Sequence, residues 1–334
     1  MPRSAVSCPK IASLWLFASL LFGAGAVAVA EKDCAKSSVG LTPLTELGPA
    51  RYHGVRGGLY PDGRNQRPTP HEQAGLAIAR TLLPLDERGR PEPRNGKIVL
   101  FACGMSNAFM EFNAFQDLVR TRGGVNSQLV LVNGAQGGAS AEVWVNADDP
   151  VWDQVPNQLL KAGVSALQVE VAWLKHAHHE PQNPFPLDAV ALKRDLVRIV
   201  QLLKQHFPNL KLAYLSSRAY GGYARGALNP DPDAYDSGFA VKWVIEEQLR
   251  GSPELNSDPA KGPVRAPWLA WGPYLWADGL TTRQDGLSWR CEDFLNDGTH
   301  PSDSGRFKVA QRLWQFFTTD STTNGWFVAR PSRR

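Results

Sequence analysis

The sequence has few cysteines, and no two of them lie close together. Its four cysteines, Cys8, Cys34, Cys103 and Cys291, are far apart in the chain, whereas zinc sites usually contain cysteine pairs separated by only a few residues. An excess of charge is also lacking, since 36 basic and 32 acidic residues give a formal net charge of +4. Binding to nucleic acid through its phosphates needs a concentrated basic surface. We therefore expect neither a cysteine zinc site nor a nucleic-acid partner.

Long apolar runs are lacking except at the amino terminus. Residues 11–27 are almost wholly apolar, follow the basic Arg3 and Lys10, and end in Ala28-Val29-Ala30, the small-x-small pattern of a signal-peptidase site. We predict that residues 1–30 are a signal peptide and that the protein is exported to the periplasm or outside the cell. Cleavage would remove two basic residues and lower the formal net charge from +4 to +2. An uncleaved anchor is the alternative, because the run approaches the roughly 20 residues that span a bilayer. After cleavage we expect no stable membrane span.

Cleavage would leave an odd number of cysteines. Cys34, Cys103 and Cys291 allow at most one internal disulfide and leave one thiol. Cys103 ends an apolar run, which predicts that it is buried. We therefore favour a Cys34–Cys291 disulfide, which would tie the mature amino terminus to the segment just before Asp297.

Turn-forming residues are concentrated in one part of the chain. Residues 31–96 are rich in glycine and proline and contain one possible helix, at 71–82. We interpret them as an extension wrapped on a main domain at 97–320. Residues 321–334 are predicted to be a tail with a solvated arginine-rich end. We find no internal repeats and no low-complexity segment.

From residue 97 onward, short apolar runs alternate with longer amphipathic segments, as in βαβ units with a parallel sheet. The predicted strands are 98–103, 128–132, 166–173, 210–216 and 267–271. The predicted helices are 108–122, 151–162, 188–206, 237–249 and 305–317. Active sites of such sheets lie at the carboxyl ends of the strands, so the residues after each run are the candidates for function.

Ser106 comes directly after the first predicted strand. The chain reads Cys103-Gly104-Met105-Ser106-Asn107 and then enters a helix. Gly104 would allow a tight turn that exposes the Ser106 hydroxyl beside the start of that helix. The alternative is that Ser106 or Asn107 only caps the helix.

A carboxylate and an imidazole precede the last predicted helix. In Asn296-Asp297-Gly298-Thr299-His300 a turn would bring Asp297 and His300 to the same side. Asp297 could then accept the Nδ1 proton of His300 and leave Nε2 free to take a proton from a serine hydroxyl. A surface turn capped by Asp297 is the alternative.

Together the two segments resemble the SGNH (G-D-S-L) hydrolase superfamily, which has a serine after the first strand and a D-x-x-H motif before the last helix. Gly104-Met105-Ser106-Asn107 departs from G-D-S and is closer to the G-Q-S-N of sialate O-acetylesterase-like carbohydrate esterases. The resemblance implies a flavodoxin-like, three-layer α/β/α fold with a mostly parallel five-stranded sheet. It also implies a Ser106–His300–Asp297 triad that needs no cofactor.

The resemblance extends to two further blocks. Gly137-Gly138-Ala139-Ser140, followed by Trp144, is similar to the G-G-T-S-x-x-x-W run of the carbohydrate esterases, and it implies that Gly138 joins Ser106 in the oxyanion hole. A glycine-rich turn without chemistry is the alternative. In the third block Lys175 stands where the family has an amide. Lys175 either donates to the oxyanion or points into solvent.

Other residues at the same predicted sheet edge are candidates for substrate contact. They are Asn107, Gln136, Trp173, Arg218, Tyr274 and Trp276. Core packing is the alternative for the aromatic ones. His176, His178 and His179 are clustered, but histidines followed by several prolines are more typical of an exposed loop, and we expect no metal site.

These features predict a secreted serine esterase that hydrolyses carboxylic esters. The carbohydrate-esterase resemblance, the eleven tryptophans and the export signal favour an acylated carbohydrate as substrate. A lipase-like or lysophospholipase-like esterase is the enzyme alternative. A non-catalytic carbohydrate-binding protein on the same scaffold is an alternative of a different class.

Overall fold

The computed structural model describes residues 1–2 and 31–329, so nearly all of the predicted signal peptide and the last five residues lie outside it. The strands are β1 (Arg51–Tyr52), β2 (Val55–Arg56), β3 (Ile98–Gly104), β4 (Leu129–Asn133), β5 (Val169–Lys175), β6 (Leu212–Ser216) and β7 (Trp268–Trp271). The helices are α1 (Leu44–Leu47), α2 (Thr69–Ala79), α3 (Ser106–Arg122), α4 (Ala141–Trp144), α5 (Gln154–Lys161), α6 (Leu187–His206), α7 (Asp233–Leu249), α8 (Asp303–Thr319) and α9 (Asn324–Phe327). Among these described helices, none has the length and apolar character needed to cross a bilayer.

The main sheet has five parallel strands in the order β4-β3-β5-β6-β7. The crossover from β3 to β4 and the one from β5 to β6 run in opposite directions across the sheet. Because such crossovers are right-handed, α3 and α6 lie on opposite faces. Helix α3 packs against α8, and α6 packs against α7. The predicted three-layer α/β/α fold with a five-stranded sheet is confirmed, and this sheet is entirely parallel.

Helices on both faces explain the composition of the strands. Every residue of β3 and β5 is buried, so these strands are mainly apolar instead of alternating. The exceptions are the buried charged residues Glu170 and Lys175 of β5. Several predicted boundaries differ from the structure by one to four residues. At the third predicted strand the difference has a clear cause. Residues Ala166–Gln168, expected to begin the third strand, form a 3₁₀ turn in which Ser165 and Gln168 cap each other. The strand therefore begins at Val169.

The glycine- and proline-rich segment 31–96 shares the hydrophobic core of the sheet. Leu44 and Tyr60 are buried within that core, and the ring of His71 on α2 stacks on Trp268 of β7. The His71 Nε2 lies 2.7 Å from the carbonyl oxygen of Leu269. The described part of the predicted tail also packs, since Trp326 and Phe327 of α9 are buried in the same core.

The predicted Cys34–Cys291 disulfide is confirmed, with 5.4 Å between the two Cα atoms, and Cys103 is a buried free thiol. The neighbouring Lys32 donates through Nζ to the carbonyl oxygens of Cys291, at 2.9 Å, and Phe294, at 2.6 Å. The first described residues after the gap are therefore attached to the segment that precedes Asp297.

Candidate active site

Ser106 is the first residue of α3, and the turn that leads into it depends on Gly104. A Cβ atom at Gly104 would lie 2.5 Å from the carbonyl oxygen of Lys175 and 2.6 Å from the Cβ of Ala108. Only glycine fits between β5 and the first turn of α3. Met105 is the N-cap residue and no side chain caps the helix, so the capping interpretation of Ser106 and Asn107 is wrong.

Ser106, His300 and Asp297 form a hydrogen-bonded series. The Oγ of Ser106 lies 2.8 Å from Nε2 of His300, and Nδ1 of His300 lies 2.5 Å from Oδ2 of Asp297. The other oxygen of Asp297 accepts the backbone N–H groups of Thr299 and His300, each at 2.9 Å. Burial alone would raise the pKa of Asp297, but these hydrogen bonds outweigh it and lower the pKa to about 2. Asp297 is therefore an anion that fixes the orientation of the His300 ring.

Asn107 holds the loop that carries His300. Its Nδ2 donates to the carbonyl oxygen of Thr299 at 2.8 Å, and its side chain is 3% exposed. Asn107 borders the cavity described below, but this donor is already used within the protein. The geometry assigns Asn107 a positioning role, while its second Nδ2–H bond and its Oδ1 make no hydrogen bond with the described residues.

A cavity of about 160 Å³ opens at Ser106 and His300. Its walls include Gly138, His178, Arg218 and Asn229. Of the predicted substrate contacts, the cavity thus includes Arg218 and Asn107. A larger cavity of about 490 Å³ lies between α2 and the segment after α7, and none of the three hydrogen-bonded residues lines it. The smaller cavity is the candidate active site.

Two residues that line this cavity, Ser106 and Gly138, have backbone N–H groups without a partner among the described residues. The N–H of Ser106 belongs to the first turn of α3, where N–H groups have no intrahelical acceptor. Gly138 has φ of +75°, a conformation that other residues rarely adopt, and its N–H makes no hydrogen bond in the described structure. Trp144, from the same motif, donates through Nε1 to the carbonyl oxygen of Gly104 at 3.3 Å. The motif thus supports the turn that leads to Ser106.

Lys175 is neither an oxyanion donor nor a solvent-facing residue, so both interpretations from the sequence are wrong. Its side chain is fully buried, and Nζ lies 2.5 and 2.6 Å from the two carboxylate oxygens of Glu111 on α3. Burial lowers the pKa of Lys175 and raises the pKa of Glu111, and their attraction opposes both shifts. Lys175 is absent from the cavity walls. This ion pair fastens β5 to α3 beneath the site.

Four predicted substrate contacts are also wrong, because they lie away from the cavity and their polar atoms bond elsewhere. These residues are Gln136, Trp173, Tyr274 and Trp276. Their hydrogen-bond partners are, respectively, the Val151 carbonyl, the Ser216 hydroxyl, the Leu44 N–H and the Asp231 carboxylate, at 2.8 to 3.1 Å. The three aromatic side chains are buried, as the packing alternative predicted.

The histidine cluster is divided among different environments. His176 is buried, where burial lowers its pKa to about 3 and keeps it neutral, so this residue does not lie in an exposed loop as predicted. His178 lies 2.8 Å from Asp195 and, with His179, borders the cavity. The described residues include no group of three potential metal ligands. The sequence analysis did not identify His178, His179 or Asn229 as cavity residues, and no motif marks them.

No family model matches the sequence, and it has no match among curated proteins. Among solved structures, the chain is similar to a GDSL-like lipase from Bacteroides thetaiotaomicron, with 7% identity and a TM-score of 0.37 over 73% of this chain and 95% of that one. It is also similar to the periplasmic domain of a lipopolysaccharide acetyltransferase from Salmonella ser. Paratyphi A, with 14% identity and a TM-score of 0.35 over 74% and 95% of the two chains. TM-scores this low assign no activity to this chain.

Proposed function

We propose that this protein is an SGNH-type esterase that hydrolyses carboxylic esters with Ser106 as nucleophile. The observation that carries the proposal is the series from Ser106 through His300 to Asp297, with its two hydrogen bonds of 2.8 and 2.5 Å. A nucleophile bonded to a base that is oriented by a third group is the arrangement of serine hydrolases. Its position at the carboxyl end of β3 and its open cavity add support.

In the proposed reaction, Ser106 Oγ attacks the ester carbonyl while His300 Nε2 takes the hydroxyl proton. Asp297 stabilises the resulting imidazolium, which then donates the proton to the departing alkoxide. Water attacks the acyl group on Ser106 with His300 again as base, and this releases the acid and regenerates the serine. The free N–H groups of Ser106 and Gly138 are the proposed donors to the oxyanion of both tetrahedral intermediates.

The proposed substrate has a short acyl group, because the cavity beside Ser106 measures only about 160 Å³. The similarity of Gly137-Gly138-Ala139-Ser140 and Trp144 to carbohydrate esterases supports an acetylated carbohydrate. The buried positions of Trp173, Tyr274 and Trp276 give no support to a carbohydrate substrate, since these residues offer no ring on which a sugar could stack. The apolar segment 11–27 and the Cys34–Cys291 disulfide support export to an oxidising compartment.

Hydrolysis of p-nitrophenyl acetate by the purified protein tests the proposal. We expect turnover by the wild type and by Ser127→Ala, a control at an exposed serine, and none above background by Ser106→Ala. Equal rates for wild type and Ser106→Ala would refute the esterase and favour the non-catalytic binding protein. Faster cleavage of octanoate than of acetate esters would favour the lipase-like alternative.

A further inference from the structure

Arg218 lies in the wall of the active-site cavity with an unsatisfied guanidinium group. The residue follows β6 and is 3% exposed. Its Nε donates to Oδ1 of Asn229 at 3.1 Å, and its backbone N–H donates to the hydroxyl of Ser237 at 3.1 Å. In the described part of the chain, the terminal nitrogens Nη1 and Nη2 have no hydrogen bond and no ion pair, and neither is completely inaccessible. Four of the five guanidinium N–H bonds are thus free.

The nearby carboxylates are already engaged with other partners. Glu111, Asp231 and Asp297 are close enough to raise the pKa of Arg218 against the lowering caused by burial, but none forms an ion pair with it. Glu111 is paired with Lys175 and Asp297 with His300. Asp231 accepts three N–H groups, from Gly221, Tyr235 and Trp276. Because a buried cation without a partner is costly, Arg218 is suited to an anion that is not part of the protein.

The rest of the cavity also favours an anion. None of the described residues in its walls is acidic, whereas three imidazoles, those of His178, His179 and His300, border it. Burial alone would lower the pKa of His178, but its hydrogen bond to Asp195 and the nearby charges of Glu142 and Asp188 raise the pKa, so the cationic form of His178 already has carboxylate partners in the protein.

We propose that Arg218 binds a carboxylate of the substrate, so that the esters cleaved at Ser106 are acidic, with the carboxylate within a few bonds of the scissile carbonyl. The short distance follows from the size of the cavity that Ser106 and Arg218 share, about 160 Å³. The planar fork of a guanidinium matches a carboxylate with two parallel hydrogen bonds. This inference rests on the proposed esterase function and defines its substrate class.

Matched pairs of acidic and neutral esters test the inference and locate the carboxylate. Comparing monoethyl succinate with ethyl butyrate tests for a carboxylate on the acyl side of the ester. Comparing 3-acetoxybenzoate with 3-acetoxybenzamide tests for a carboxylate on the alcohol side. In at least one pair we expect the wild type to prefer the acid in kcat/KM by on the order of 30-fold or more, the range typical of a buried charge pair. Near-equal values in both pairs would overturn the inference while leaving the esterase intact.

Two variants test whether the guanidinium of Arg218 causes the preference for the acidic ester. Arg218→Gln should lower the kcat/KM of the acidic ester far more than that of the neutral ester and so abolish the preference for the acid, while Arg218→Lys should retain part of the preference. Arg225→Gln is the matched control, because Arg225 lies in the same loop with a side chain 55% exposed, and it should keep the full preference. Equal losses on acidic and neutral esters in Arg218→Gln would instead make Arg218 an oxyanion donor and refute the inference.

A binding measurement decides the inference even if the glutamine variant does not fold or no ester is turned over. Calorimetry on the wild type should detect 3-hydroxybenzoate and not 3-hydroxybenzamide, and Arg218→Lys should weaken the benzoate complex. Absence of turnover would refute the proposed function alone, whereas equal binding of the acid and the amide would refute the anion site.

Discussion

Replacing Lys175 with methionine should destabilise the fold and leave the chemistry of the folded protein largely intact. Lys175 and Glu111 are both almost fully buried, and Nζ lies within 2.6 Å of one carboxylate oxygen and 2.5 Å of the other. Methionine retains most of the side-chain volume but leaves the Glu111 carboxylate buried without its counter-charge. Breaking a buried pair in this way typically costs about 3–5 kcal/mol. At roughly 2–4 °C per kcal/mol, the melting temperature should fall by roughly 6–20 °C.

The loss of stability in Lys175→Met should be smaller at low pH than at high pH. In Lys175→Met the pKa of Glu111, already raised by burial, should rise further because the attraction of Lys175 is gone. A group whose pKa is higher in the folded state than in the unfolded state stabilises at low pH and loses that contribution as pH rises through the folded pKa. The difference in unfolding free energy between variant and wild type should therefore shrink as the solution is acidified.

Urea denaturation at several pH values and turnover of p-nitrophenyl acetate are the two assays. The double variant Lys175→Met with Glu111→Leu should recover much of the stability, since a buried pair can be replaced by apolar residues at little cost. Arg120→Met is the control, because Arg120 and Asp117 form a surface pair with side chains 80% and 69% exposed, and it should change little. A variant of normal stability whose kcat falls by about 10² to 10³ would refute the reasoning and make Lys175 an oxyanion donor.

Three further outcomes are expected. Asp297→Asn should lower kcat on the order of 10⁴-fold, as in other serine triads, with an unchanged fold by circular dichroism, since an amide cannot stabilise the imidazolium; near-normal kcat would place the triad acid elsewhere. Asn107→Ala should lower kcat more than it changes KM, because the Thr299 carbonyl loses the donor that holds the His300 loop; a change in KM alone would make Asn107 a substrate contact. Mass spectrometry of the exported protein should find Glu31 as the first residue, and an intact Met1 peptide would contradict cleavage.

The fold could be predicted largely because its strands are covered on both faces. Residues 98–103 and 169–173 are recognisable as strands because burial on both faces leaves them almost entirely apolar, with Glu170 as the exception. The carboxyl ends of parallel strands meet at one edge, so Ser106, Gly138 and Arg218 could be placed together without knowledge of any distance. The D-x-x-H spacing likewise indicated the bond between Asp297 and His300, because it is set within a single turn.

Contacts between distant elements could not be predicted in the same way. The position of Lys175 at the end of β5 was identified, but the sequence does not show that the Glu111 side chain of α3 meets it underneath. Trp173 lies within β5, which continues to Lys175, whereas Tyr274 and Trp276 follow β7. Whether an aromatic ring at the end of a strand faces the cavity or the core depends on its neighbours in three dimensions. Asn229, which orients Arg218, comes from a loop without a recognisable motif.

The Cys34–Cys291 disulfide affects when the active site can form during synthesis and folding. Ser106 is synthesised well before Asp297 and His300, and the segment before these two residues is bonded to Lys32 and Cys34, which are synthesised earlier still. Bringing together residues 257 positions apart closes a long loop, a slow step in folding, and the bond itself needs an oxidising compartment. During synthesis and folding the protein would thus contain the Ser106 nucleophile without a positioned His300 until the segments around Cys34 and Cys291 have come together.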